Sequence, residues 1–431
     1  MLNHYVISTR CKNKNMSLIK NSMWNLAGYI IPSLIIIPSL GYLARVLGAE
    51  LFGIYTIAIA IVGYAGIFDV GISRAIIREI ALYREDNEER KKIISTATSF
   101  ILIFSSVCIV LLYLNMHELV KSLKVSKEYF NEVLISLKLL LLTIPFFLIN
   151  QLWLSILEGD EKFANINLQR SISSSLIAGL PAVCVIFYGT LYSAIVGLVI
   201  ARLMSLVITY VVIFFSKIEL GFSFHKDTFK RLIFFGGWIT VSNIISPVMV
   251  YFDRFIVSNV MGAASVAFYT IPSEAVSRLG ILPAALSRAI FPKLSNLKDR
   301  NDIKGQIALS YKLASAACLP IVIAGIILSP QIIYYWMGEA YVENCVPILR
   351  ILLIGFFFNS IAQIPFASIQ SAGKAKTTAL LHCAEIVPYL LLLYFMIDHF
   401  GIIGAAFAWT ARMIIDCIIL IVLSLKTHSF K

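Results

Sequence analysis

Long, uninterrupted apolar runs are the feature that most limits how this chain can fold. The runs are about 20 residues long and do not alternate with polar residues, which is typical of helices that cross a bilayer rather than of barrel strands. Hydrophobic residues make up 59% of the 431 residues and charged residues only 14%. Since lipid offers no partners to backbone polar groups, each run must bond its backbone internally. The sequence therefore predicts an all-α integral membrane protein.

Twelve spans and a strong bias in basic residues define the predicted topology. Of the 36 Lys and Arg residues, 25 belong to the N-terminal tail and every second connection, 4 to the opposite connections and 7 to the spans themselves. Because basic residues stay on the cytoplasmic side, both termini are predicted to be cytoplasmic. The bias also accounts for the net charge of +12 without a nucleic-acid partner. We place the spans at 22–46, 51–72, 93–114, 132–156, 166–188, 192–215, 232–258, 265–290, 307–329, 346–369, 378–397 and 402–424.

An internal repeat relates the two halves of the chain. The tetrapeptide SRAI at 73–76 recurs at 287–290, which is an offset of 214 residues. The same offset relates several Trp, Gly and Tyr residues, which coincide by chance less often than Ile or Leu. The repeat predicts two parallel six-helix halves, 1–215 and 216–431, in one integrated membrane domain around a central cavity. The further matching pairs are Trp24 and Trp238, Gly48 and Gly262, Tyr55 and Tyr269, and Gly159 and Gly373.

Motifs for catalysis, metal binding or cofactor binding are missing from the sequence. The cysteines form no C-x-x-C pair, the histidines have no metal-ligand spacing, and no glycine-rich phosphate loop or nucleophile elbow occurs. The connections are too short to fold alone. The sequence therefore predicts no catalytic residue, no bound metal and no cofactor, and it disfavours an enzyme.

Seven basic residues within the spans are the main functional candidates. Lys138, Lys312 and Arg350 lie near span ends, where long side chains reach the interface. The other four lie deeper, where a charge costs about 2.5–3.5 kcal/mol on insertion scales. Two interpretations stay open: internal salt bridges between helices, or a cationic cavity that binds substrate. The four deeper residues are Arg202, Arg254, Arg278 and Arg412.

Acidic residues accompany these arginines. Glu274 precedes Arg278 by four residues, and Arg412 precedes Asp416 by the same spacing, so each pair shares a helical face. Asp253 is adjacent to Arg254, so their side chains diverge by about 100° and should seek other partners.

Further charged residues raise two weaker hypotheses. Asp69 and Glu385 are additional intramembrane acids. Arg74 and Arg288, inside the repeated tetrapeptide, lie at predicted cytoplasmic span ends. They are interpreted as interface anchors, with reception of a phosphate at the cytoplasmic mouth as the alternative.

Several segments together resemble a known transporter family. Residues 41–55 (GYLARVLGAELFGIY), 69–74 (DVGISR) and 157–163 (LEGDEKF) are similar to its first-half pattern, and Asp253-Arg254-Phe255 followed by Gly262 and Tyr269 is similar to the second-half counterpart. The family is the Wzx-type O-antigen and polysaccharide-unit flippases, in the multidrug/oligosaccharidyl-lipid/polysaccharide exporter superfamily.

The resemblance implies a multi-pass protein of the bacterial inner membrane with a MATE-like fold. It would move an undecaprenyl-diphosphate-linked oligosaccharide to the periplasmic leaflet by alternating access, coupled to H⁺ or Na⁺ as an antiporter. The implied partners are this lipid-linked substrate, membrane lipids, a polysaccharide polymerase and a chain-length regulator. Arg202, Arg254, Arg278 and Arg412 would contact the diphosphate, since guanidinium groups bind phosphate oxygens bidentately. Asp253, Glu274 and Asp416 are the candidates for ion coupling.

Two alternatives to this interpretation share part of its evidence. A multidrug exporter of organic cations would have the same fold, but it would favour an acidic cavity over four arginines. A membrane glycan polymerase would be an enzyme, which the short connections and the duplication disfavour.

Overall fold

The computed structural model describes residues 2–65, 71–284, 287, 294 and 300–429. Within these ranges the side chains of 2–31, 235–251, 300, 301, 303, 375, 428 and 429 are not described. The described residues are almost entirely helical and contain no strand, as the apolar runs predicted. Two sequence candidates, Asp69 and Arg288, lie outside the described residues.

Fourteen α-helices are numbered here in chain order over the described parts of the chain. A short 3₁₀ turn at Glu339–Tyr341 separates α11 from α12. The helices are α1 Leu2–Ala65, α2 Ile72–Leu82, α3 Asn87–Ser122, α4 Phe130–Leu140, α5 Thr143–Gly159, α6 Phe163–Tyr188, α7 Leu191–Phe215, α8 Lys226–Met261, α9 Ala263–Leu279, α10 Arg300–Ile327, α11 Ser329–Met337, α12 Val342–Ser371, α13 Ala375–Phe400 and α14 Ile402–Ser429.

Nine segments of the described chain are long and apolar enough to cross a membrane. Large apolar side chains remain exposed along them, such as Phe187 at 74% and Leu114 at 73%, as expected of surfaces that face lipid. A multi-pass membrane protein is therefore confirmed. The total of twelve spans stays a prediction, because several predicted spans include residues outside the description.

One predicted span differs from the structure in detail. The segment predicted as one helix at 132–156 is divided into α4 and α5. Pro145 lies at the start of α5 and has no amide proton to donate to the carbonyl of Leu141, four residues earlier. The backbone therefore tightens over Leu141 and Leu142, whose amides bond three residues back.

The 214-residue repeat is visible in backbone geometry. Gly48 breaks α1 with φ 71° and ψ 173°, and Gly262 divides α8 from α9 with φ 87° and ψ 165°. Positive φ favours glycine at both positions. The matching residues Tyr55 and Tyr269 are both fully buried, at 2% and 1% exposure. The repeated residues therefore build equivalent helical hairpins.

Two compact units make up the chain. Unit 1 consists of Met1–Val46, Ile61–His117 and Asn131–Ile244, and unit 2 of Leu47–Ala60, Glu118–Phe130 and Ile245–Lys431. In unit 1, α6 packs chiefly on α7, and α5 on α2 and α7. In unit 2, α12 packs most extensively on α14 and also on α10 and α9. The division into repeats at residue 215 stays a prediction.

Polar networks hold the interior of unit 1 together. Gln169 on α6 donates hydrogen bonds to Ser173 and to Thr209 on α7, at 2.9 and 2.7 Å. Near the connections, Arg231 contacts the buried carboxylate of Glu79 and the carboxylate of Glu89, both at 2.7 Å. These contacts tie α8 to α2 and α3 where the basic connections lie.

Candidate functional site

An ion cluster on α8 and α9 contains four of the predicted residues. Arg254 Nη2 lies 2.9 Å from Glu274 Oε1, and Arg278 Nη2 lies 3.2 Å from Glu274 Oε2. The predicted pairing of Glu274 with Arg278 is therefore present. One carboxylate serves two guanidinium groups, so this α8–α9 cluster (Asp253, Arg254, Glu274 and Arg278) has two cations and two anions.

Burial separates the roles within the α8–α9 cluster. The side chain of Arg254 is only 7% exposed, and its Nη1 also donates to the carbonyl oxygen of Thr56 on α1, at 3.3 Å. Arg278 is 37% exposed. Arg254 therefore connects three helices inside unit 2, whereas Arg278 can reach a ligand at the edge of the cluster.

Asp253 takes partners different from those of its neighbour, as the sequence predicted. Its Oδ1 accepts the backbone amide of Arg254 at 2.7 Å, and its carboxylate interacts with the hydroxyl group of Tyr269. Asp253 is 8% exposed. A buried carboxylate requires such donors, since an unpaired charge in this environment is costly.

A second ion cluster joins α13 and α14. Ligand atoms of His382, Glu385 and Asp416 all lie within 4.8 Å of one another. Arg412 Nε lies 3.5 Å from Glu385 Oε2 and also interacts electrostatically with Asp416. The residues of this α13–α14 cluster (His382, Glu385, Arg412 and Asp416) carry one negative charge in excess when the imidazole is neutral.

A tyrosine lies between the two clusters of unit 2. The guanidinium carbon of Arg412 lies 5.0 Å from the ring centroid of Tyr389, a cation–π distance. Tyr389 also interacts electrostatically with Asp253. Tyr389 therefore interacts with one member of each cluster of unit 2.

Arg202 belongs to unit 1. Its guanidinium carbon lies 5.0 Å from the ring centroid of Phe147 on α5, and the side chain is partly buried. Arg254 and Arg278 share the α8–α9 cluster and Arg412 belongs to the α13–α14 cluster, so the four predicted cavity residues occupy three local environments.

The remaining predicted residues lie at helix ends or surfaces. Arg74, in the first turn of α2, is exposed, which fits an anchor. Lys138 lies over the ring of Tyr113 at 4.6 Å, Lys312 is exposed, and Arg350 Nε donates to the hydroxyl group of Ser329 at 2.9 Å.

The sequence did not predict that His382 belongs to an ion cluster. Spacing rules look for ligands on one segment, whereas this cluster takes Asp416 from a second helix. The available signal is the i,i+3 pair His382 and Glu385, one turn apart in an apolar helix.

Comparisons with known proteins agree with the fold. The family model described as "Polysaccharide biosynthesis protein" matches residues 18–298. A curated protein of Shigella flexneri, named "Putative O-antigen transporter", is 55% identical over 406 residues, covering 94% of this chain and 97% of that protein.

Two solved structures have a similar fold at low sequence identity. The lipid II flippase MurJ, in an inward closed conformation, aligns with a TM-score of 0.76 at 20% identity, over 95% of this chain and 87% of that one. An inward-facing MATE-family multidrug transporter of the MOP superfamily aligns with a TM-score of 0.74 at 16% identity, over 93% of this chain and 94% of that one. The chain therefore belongs to the polysaccharide biosynthesis protein family and is a multi-pass membrane transporter, not an enzyme.

Proposed function

We propose that this protein moves an undecaprenyl-diphosphate-linked O-antigen unit from the cytoplasmic to the periplasmic leaflet of the bacterial inner membrane. The observation that carries the proposal is the 55% identity, over nearly the whole chain, to a protein named as an O-antigen transporter. Alternating access follows the same analogy, as do a polymerase and a chain-length regulator as partners, whereas cytoplasmic termini follow from the bias in basic residues.

The intramembrane arginines suit the chemistry of this substrate. A diphosphate carries its charge on oxygens that guanidinium groups bind strongly. Arg278 is the best placed in unit 2, because it is 37% exposed and Arg254 can hold Glu274 without it. Arg254 acts as a positioning residue, and Arg202 and Arg412 complete the proposed cationic set.

Replacing Arg278 or Arg412 with glutamine should reduce surface glycan at least severalfold in a strain that lacks its own O-antigen flippase. A charge-assisted hydrogen bond contributes about 1.5–3 kcal/mol, enough to weaken substrate binding tenfold. Lys312→Gln is the matched control, because it removes a charge from an exposed site in a predicted span. Surface glycan is measured at equal protein abundance.

Two results would count against this proposal in different ways. A normal amount of surface glycan in both arginine variants would exclude the proposed cationic substrate-binding site. Failure of the wild-type chain to restore any surface glycan would exclude a lipid-linked glycan as its substrate. Extrusion of organic cations by the wild-type chain would instead support the multidrug alternative, whose fold this chain shares.

The α13–α14 cluster is the proposed coupling site. Two carboxylates this close repel one another when both are charged, and Arg412 neutralises only one of them. Both oxygens of Glu385 and one oxygen of Asp416 are buried, and the two carboxylates lie close to each other and to His382. With one excess negative charge, the site suits one proton or one Na⁺, and His382 could supply a nitrogen ligand. Asp253 and Glu274 remain coupling candidates, although both already contact their own donors.

Coupling predicts that Asp416→Asn abolishes the response of transport to an imposed gradient. In proteoliposomes, appearance of the glycan on the far leaflet is followed with an impermeant glycan-binding probe under a pH or a Na⁺ gradient. Asp398→Asn, which changes a 60% exposed carboxylate near the end of α13, should respond like wild type. Wild-type transport that ignores both gradients would exclude coupling and leave the flippase assignment untouched.

A further inference from the structure

A cavity of about 380 Å³ lies in unit 1, and none of its lining residues belongs to the ion clusters of unit 2. It is lined by the α2–α3 connection with the start of α3, the α5–α6 turn and the segment that follows α7. These are connections on the side where basic residues concentrate. Its volume lies within the range of small-ligand sites, about 300–1,000 Å³.

Basic side chains outnumber acidic ones in the lining of this cavity, five to two. Both acids already have partners. Arg90 Nη2 lies 2.9 Å from Asp160 Oδ2 in a largely buried pair, and Lys91 Nζ lies 2.9 Å from Glu219 Oε2. The acids therefore do not neutralise the remaining three cations.

The three remaining cations differ in how they are held. Arg84 Nη2 donates to the carbonyl oxygen of Gly159 at 2.9 Å and pairs with Glu161 at 3.1 Å. Lys162 Nζ makes a long contact, 3.4 Å, to the carbonyl oxygen of Ser216. Lys217 has no ion-pair partner in the part of the chain that the structure describes. Among the described residues, Lys162 and Lys217 therefore provide positive charge at the cavity with no ion-pair partner.

The backbone beside these lysines is unusual. Glu161 and Lys217 have φ values of 61° and 55°, and they are two of three non-glycine residues with positive φ among those described. Each follows the last turn of a helix, α5 or α7, and the amide of the next residue bonds back to a carbonyl five residues earlier. Glycine is the favoured residue at such positions. Lys217, which lines the cavity, therefore occupies a position that favours glycine, and Glu161 occupies the equivalent position directly before the lining residue Lys162.

We propose that this cavity binds a phosphate group through Lys162 and Lys217. Arg90 acts as a positioning residue that keeps Asp160 neutralised. Ammonium groups bind phosphate as point charges, and a cavity formed by connections between predicted spans would be within reach of both lipid headgroups and soluble phosphate. The site would add a regulatory or lipid-anchoring contact to the protein, separate from the proposed transport site.

The test compares the purified wild type with a Lys162→Gln/Lys217→Gln double variant. Lys226→Gln/Lys230→Gln is the control, because it removes the same charge from exposed residues in the first turns of α8, outside the cavity lining. One arm measures protection against thermal unfolding by inorganic phosphate, with chloride at equal ionic strength. The other arm measures retention of phosphatidylglycerol by native mass spectrometry in detergent.

We expect the double variant to bind about tenfold or more weakly in one arm, since each lost charge-assisted bond is worth about a factor of ten. A difference only with phosphatidylglycerol identifies a lipid headgroup, and a difference with inorganic phosphate identifies a soluble ligand. Equal behaviour of wild type and double variant in both arms, or an equal loss in the control variant, would overturn the proposal.

Lys217→Gly separates binding from folding. It should raise the Tm, because glycine adopts the left-handed backbone without strain, while weakening phosphate or lipid binding. A higher Tm with unchanged binding would exclude Lys217 from the site. Transport of glycan does not enter this readout, so the result is independent of the proposed flippase activity.

Discussion

Glu274→Gln should destabilise the protein by about 3 kcal/mol, toward the lower end of the cost of breaking a buried ion pair. Its carboxylate is the shared partner of Arg254 and Arg278, and it is 25% exposed, which moderates the loss. The guanidinium of Arg254, only 7% exposed, would keep its hydrogen bond to α1 but lose its carboxylate. Thermal unfolding of the solubilised protein measures the effect, and transport should fall with it.

Two companion variants make this result interpretable. Glu158→Gln removes a carboxylate of similar exposure, 30%, whose partner Arg170 lies 3.7 Å away, and should cost less than about 1 kcal/mol. The double variant Arg254→Met/Glu274→Leu removes both charges of this ion pair but keeps Asp253, so part of the stability should return while transport stays low. Unfolding of Glu274→Gln at the wild-type temperature would show that the pair contributes nothing to stability.

Gly53→Ala should destabilise the protein by a similar amount, about 3 kcal/mol, which is the upper end of the usual cost of overpacking. A methyl group at residue 53 of α1 would collide with the carbonyl oxygen of Ala263 on α9 and approach the amide of Ala267. The obstacle is backbone rather than a flexible side chain, so the helices themselves must separate. We expect a sharp loss of monodisperse protein on size-exclusion chromatography.

Gly305→Ala is the matched control for this substitution. Residue 305 lies inside α10 with no atom within 4 Å of an added methyl group. Alanine is a better helix former than glycine by about 1 kcal/mol, so this variant should be at least as stable as wild type. Equal yields of Gly53→Ala and Gly305→Ala would contradict the close packing of α1 on α9.

The helices and the repeat could be predicted from the sequence because each produces a recurring pattern of residues. Apolar runs predicted the spans, and Gly48 and Gly262 marked equivalent hairpins. The pairing of Glu274 with Arg278 followed from helical spacing alone. The break at Leu141 was also encoded, in Pro145, but the apolar run around it masked the signal.

What the sequence left open depends on distances between helices that are remote in the chain. The helical spacing predicted that Asp416 lies near Arg412. It could not show that Glu385 and His382, on a different helix, lie beside these two residues. The cavity of unit 1 was equally hidden, because its residues come from three separate connections. Each of these looks like an ordinary cytoplasmic anchor when it is read by itself.

The make-up of unit 2 has a consequence for how the protein is assembled in the cell. Its members 47–60 and 118–130 are synthesised long before 245–431, with which they form one compact body. Gly53 and Thr56 are therefore synthesised and inserted before Ala263 and Arg254, the residues that they contact in the folded protein. An N-terminal fragment that ends near residue 215 would expose these unsatisfied helix surfaces to the membrane quality-control machinery. Insertion can proceed from the N-terminus, but unit 2 completes its fold only when the last helices have been delivered.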